Sequence, residues 1–134
     1  MKISGYDIDL ETAVNTIKKN GYKTVAIQVP EGLKMDAFTI VDFLKKETNA
    51  NIIISADPCF GACDLVDDEL KNLGVEYIIQ IGHTSIPDIE KFSIPIIFLN
   101  ALSTHDIAIV VEKSISSLKG KRIGVVTTAQ HIHM

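Results

Sequence analysis

Apolar residues along this chain alternate between two patterns: short unbroken runs and longer stretches at helical spacing. Residues 8–22 read as a helix, with Leu10, Ala13, Val14 and Ile17 on one stripe, Asp9 as N-cap and Gly21 as stop. Residues 23–29 form a β-branched run that Pro30 ends, and Pro30-Glu31-Gly32 is a loop. Residues 33–48 return to helical spacing through Leu33, Ala37, Ile40, Val41 and Leu44, with Lys45 and Lys46 in the last turn. A second strand is expected over 51–55, then a turn-rich loop over 56–63. A helix over 64–72 follows, with Leu65, Val66, Leu70 and Leu73 inward and Gly74 closing it. Residues 75–81 and 94–99 read as a third and a fourth strand. Residues 104–118 read as a helix with Ile107, Ala108, Val111 and Ile115 inward, and 121–128 as a fifth strand. The stretch 82–94 is either a loop or one short helix.

Strands alternate with helices, and the strands are continuous rather than alternating apolar runs. Both features predict a single α/β domain over 1–134: a three-layer, Rossmann-like sandwich. Its mostly parallel sheet has about four to five strands with helices on both faces. Composition agrees, with 134 residues, 46% hydrophobic and 22% charged. No apolar run approaches the ~20 residues of a membrane span. The N-terminus lacks an apolar signal core, so a cytoplasmic protein with no membrane association is expected. The net charge of −4 excludes a nucleic-acid binder held by a basic face. Two cysteines cannot build a disulfide framework.

Open α/β sheets bind ligands beyond the carboxyl ends of their strands. Both cysteines and all four histidines fall in or just beyond those segments, so they are expected to converge on one edge. Cys59 and Cys63 have a C-x-x-x-C spacing, which is neither a thioredoxin-like pair nor a zinc knuckle. They read either as two small buried hydrophobes or as a thiol site in which Cys63 gains from a helix start. Pro30-Glu31-Gly32-Leu33 is neither a dinucleotide fingerprint nor a P-loop, and a turn with fixed geometry accounts for it. Gly82-His83-Thr84-Ser85 offers three hydrogen-bonding side chains but no nucleophile elbow. Gln130-His131-Ile132-His133 sets two histidines two apart.

Read together, these loops resemble a family. Asp57-Pro58-Cys59-Phe60-Gly61-Ala62-Cys63-Asp64 resembles the D-x-x-Y-G-A-C-D loop of archaeal diphthamide synthases, with Phe60 in place of the usual tyrosine. Gln28-Val29-Pro30-Glu31-Gly32-Leu33, Gly82-His83-Thr84-Ser85 and Thr127-Thr128-Ala129-Gln130-His131 are similar to that family's other strand-end motifs, in the same order. Ile86 stands where eukaryotic members often carry cysteine.

The resemblance implies the first of three similar α/β domains, each giving one cysteine to a 4Fe-4S cluster. Cys63 is then the ligand here, and Cys59 its neighbour. It implies a cofactor pocket formed by Gln28, Pro30, Glu31, Gly32, His83, Thr84, Ser85, Gln130 and His131. It further implies a homodimeric transferase in which S-adenosylmethionine binds the cluster's unique iron. A 3-amino-3-carboxypropyl radical then adds to a histidine of translation elongation factor 2, the first step of diphthamide synthesis. Alone, the chain is expected to be inactive, and its stop just after a strand-like run is expected to be a boundary inside a larger enzyme. The other readings are a non-enzymatic interaction module and a small thiol or zinc protein.

Overall fold

The computed structural model describes residues 1–65, 67–85 and 92–134. Helix α1 (Leu10–Asn20) forms as its spacing predicts, burying Leu10, Ala13, Val14 and Ile17. Asp9 caps it, accepting from the Thr12 amide at 3.2 Å and from the Thr12 hydroxyl at 2.6 Å. Gly21 ends it in the left-handed region, φ 70°. The Thr12 hydroxyl, ahead of the Thr12 amide, holds the Asp9 carboxyl below its ordinary value of 3.8. The cap therefore contributes fully above that value and is lost as pH falls through the lower folded-state one. Asp9→Ala is expected to cost about 0.5–2 kcal/mol at neutral pH, read by urea denaturation, and to cost little in strong acid.

The core sheet has four parallel strands: β3 (Thr24–Gln28), β4 (Asn51–Ile54), β5 (Tyr77–Ile81) and β6 (Ile96–Leu99), in the order β4-β3-β5-β6. The register sets Val25 beside Tyr77 and Ile27 beside Ile79. These side chains face α1 and α2 (Ala37–Thr48) in the larger apolar cluster. The intervening residues Ala26 and Ile78 pack on the opposite face with Leu70 of α3 (Asp67–Asn72), Val75 and Ile94. Helices on both faces make the three layers, and burial on both faces is why these strands lack alternation.

Three short strands were not legible as such. β1 (Lys2–Ile3), β2 (Tyr6–Ile8) and β7 (Ala101–Ser103) form a separate antiparallel sheet. Ser4 and Gly5 join β1 to β2 with φ 44° and 81°, the two positive angles of a tight hairpin turn. A Cβ on Gly5 would lie 2.4 Å from His105 Cε1, so glycine is needed there for space as well as conformation.

Several sequence expectations are corrected. Residues 121–128 form no strand; Val125 and Val126 are 88% and 96% exposed. Helix α4 (Ala108–Leu118) forms but buries nothing: Ala108, Val111 and Ile115 are exposed and Ile107 is only partly covered. The reason is physical: no neighbouring element among the described residues packs on that face. Leu73 is exposed too, because α3 has ended one residue earlier. Residues 31–36 form a 3-10 turn before α2, so that helix starts four residues later than its apolar stripe. Val66 and residues 86–91 of the ambiguous stretch lie outside the described residues. Among the described residues, no helix is long and apolar enough to cross a membrane.

Candidate functional site

Gln28, the last residue of β3, and Gln80, the penultimate residue of β5, stand side by side on the two central strands, and neither has exposed surface. They share a sheet face with Ala26 and Ile78, two residues earlier on each strand. The cysteine loop is tied to that face. Gln28 Nε2 donates to the Asp64 carbonyl at 2.6 Å, and Gln80 Nε2 donates to Cys59 Sγ at 3.2 Å. Cys59 also lies 3.7 Å from His83 Nδ1, and its amide donates to the Glu31 carboxylate. Burial pushes the Cys59 thiol above its ordinary value, only partly offset by the Gln80 hydrogen bond. Cys59 is a buried, neutral packing residue.

Cys63 differs in every respect. It is exposed and sits in a turn ahead of α3. This corrects the expectation that a helix begins at Cys63, since α3 starts at Asp67. What holds its loop is Asp64, whose Oδ2 accepts from the Phe60 and Gly61 amides at 2.7 and 2.9 Å. The Cys63 thiol donates to Asp64 Oδ1 at 3.6 Å. The Phe60 amide first, then that of Gly61, holds the Asp64 carboxyl below its ordinary 3.8. The clasp is then intact above that value and opens as pH falls through the lower folded-state one. Protection of the Phe60 and Gly61 amides from hydrogen exchange is expected at neutral pH. It should vanish in strong acid, and at every pH in Asp64→Ala. Unchanged protection in that variant would refute the clasp.

His83, beside Cys59, also lines a cavity of about 310 Å³, together with Tyr6, Pro30, Gly32, Gly82 and His131, among others. Gly82 (φ 81°) lets the chain turn against Pro30, whose Cγ would stand 3.0 Å from an added Cβ. Gln130 also lines it and donates to the Gly82 carbonyl at 3.0 Å, which fastens the 3-10 turn Ala129–His131 over the strand ends. Of the residues expected in a cofactor pocket, Pro30, Gly32, His83, Gln130 and His131 meet here. Gln28 lies beneath the cysteine loop instead. Glu31 is exposed and paired with Lys34 at 2.6 Å, which holds its carboxyl below the ordinary value. Thr84 and Ser85 are exposed outside the cavity. Tyr6, Leu33 and Ala101 line it without having been anticipated; the Ser4-Gly5 turn is the signal that could have placed Tyr6.

The four histidines divide between two cavities. His105 and His133 line a second cavity, of about 620 Å³, against α4. Among the described residues no group of three or more His, Cys, Asp or Glu could hold a metal ion. Cys63 is the exposed thiol of the two, and Gly61 leaves room beside it, since a Cβ there would sit 3.3 Å from Cys63 Sγ.

Comparison with known proteins gives this geometry a context. The family model described as "Putative diphthamide synthesis protein" matches residues 29–134. The chain is 33% identical over 130 residues to the 2-(3-amino-3-carboxypropyl)histidine synthase of Pyrococcus horikoshii, and 33% identical over 132 residues to that of Methanocaldococcus jannaschii. These matches cover 96% and 88% of this chain but only 37% and 38% of the relatives. The chain thus spans little more than a third of the proteins it resembles. It superposes with TM-score 0.84 and 32% identity on the crystal structure of Dph2 from Pyrococcus horikoshii with a 4Fe-4S cluster, covering 95% of this chain and 37% of that one. The chain belongs to the diphthamide synthesis protein family.

Proposed function

We propose that this chain is the cluster-bearing first domain of a 2-(3-amino-3-carboxypropyl)histidine synthase, giving one thiolate, Cys63, to a shared 4Fe-4S cluster. The observation that carries this is the exposed Cys63, clasped by Asp64 in a loop of a domain that matches a cluster-containing relative. Bound there, the cluster would supply an electron to S-adenosylmethionine held at an iron without a cysteine ligand. The chain's own part is to hold the thiolate, exclude Cys59 from ligation, and line a neighbouring cavity with His83 and His131. The acceptor in this reading is a histidine of translation elongation factor 2, the working form a cytoplasmic homodimer, and this chain alone is inactive.

The test is a chimera in which this chain replaces the matched 37% of the Pyrococcus horikoshii protein. After anaerobic iron and sulfide reconstitution it should show 4Fe-4S absorbance and transfer the aminocarboxypropyl group. A folded chimera without a cluster would overturn the reading.

A second reading, an interaction module, has one observation in its favour. Ile109, Val110, Val111 and Ile115 are 53–66% exposed on α4, apolar surface of a kind that partners commonly cover. Sedimentation of the chain separates the cases, because a concentration-independent monomer counts against it.

A further inference from the structure

Gln80 Nε2 lies 3.2 Å from Cys59 Sγ and 3.3 Å from His83 Nδ1. An amide nitrogen carries two protons, so it has one for each neighbour. Its Oε1 has no partner among the described residues. Reversing the amide would leave the NH2 group there instead, with two donors stranded in place of one acceptor, the more costly arrangement for a side chain with no exposed surface. A proton directed from Gln80 at His83 Nδ1 requires that nitrogen to be the unprotonated one, so a neutral ring carries its proton on Nε2.

We infer that Gln80 is a positioning residue that fixes His83 as its Nε2–H tautomer, so that His83 presents an N–H donor to the cavity it lines. Nε2 has no partner among the described residues, while Nδ1 is occupied on the sheet side by Gln80 and Cys59. His131 brings a second imidazole to the same cavity, its Nδ1 lying 3.0 Å from Thr128 Oγ1. Among the described residues no carboxylate lines the cavity. A cavity with imidazole donors and no carboxylate takes an oxygen acceptor such as a ligand carboxylate. That choice of ligand rests on the function proposed above; the tautomer does not.

The experiment is two-bond proton–nitrogen NMR on the chain with 15N-histidine at roughly pH 8, above the ordinary imidazole range. His83 Nδ1 should resonate as an unprotonated nitrogen and Nε2 as a protonated one. Free imidazole also favours Nε2–H, so the decisive variant is Gln80→Glu, which puts an acceptor where the donor was. It should protonate Nδ1, moving that nitrogen into the protonated range, while Cys59→Ala leaves the wild-type pattern. A folded Gln80→Glu chain with an unchanged tautomer would overturn the inference, as would a wild-type Nδ1–H ring. Should Gln80→Glu fail to fold, a scalar coupling across Gln80 Nε2–H to His83 Nδ1 in the wild type decides: its presence supports the inference and its absence refutes it. None of these outcomes depends on whether the chimera assembles a cluster, so the two readings fail separately.

Discussion

Replacing Cys63 by alanine in the chimera is expected to reduce 4Fe-4S absorbance to background, whereas Cys59→Ala should keep most of it. The two thiols stand four residues apart in one loop, so sequence distance cannot choose between them. Their surroundings can. A cluster ligand must be a thiolate with open space beside it. Cys59 has no exposed surface, contacts Gln80 and His83, and is held in its neutral form by burial. Cys63 is exposed, and the glycine two residues before it keeps the space next to its sulfur clear. Gly61→Val should therefore also weaken cluster assembly while leaving Cys63 in place. The reverse pattern, a cluster that survives Cys63→Ala and is lost with Cys59→Ala, would move the ligand to the buried thiol. It would require the loop to open.

Part of this site was legible in the sequence because strand ends are easy to find. Gln28 and Gln80 follow unbroken apolar runs, and the loops beyond them hold the cysteines and His83. What could not be read was which way the side chains turn. Both glutamines point into the sheet's packed face, so they fasten the cysteine loop instead of lining the cavity. The contact of Cys59 with Gln80 and His83 joins residues 21 and 24 positions apart, and only the strand register brings them together. The small antiparallel sheet escaped for a related reason. Its strands hold two or three residues, too few to show a period, and β2 pairs with β7 from the far side of the chain. Helix α4 shows the opposite failure. Its apolar spacing is real, but spacing reports what a face could bury and not whether anything packs against it.

The same distinction predicts a large difference between two apolar truncations. Ile79 sits at the centre of β5 with no exposed surface, paired with Ile27 on one side and Ile97 on the other. Ile79→Ala removes its side chain from a packed layer against α1 and α2, and is expected to cost about 2–5 kcal/mol. Val126 lies in the run that reads as a fifth strand but is 96% exposed. Val126→Ala should then change stability by no more than about 0.5 kcal/mol. Were residues 121–128 a core strand, burial of that valine would be worth roughly 1.5–3 kcal/mol, and the variant would lose that much. Urea denaturation of the two variants beside the unaltered chain measures both quantities in one experiment. A loss above about 1 kcal/mol at Val126 would restore the fifth strand. A loss confined to Ile79 places the folding energy in the four parallel strands, the elements that carry Gln28 and Gln80 to the cysteine loop.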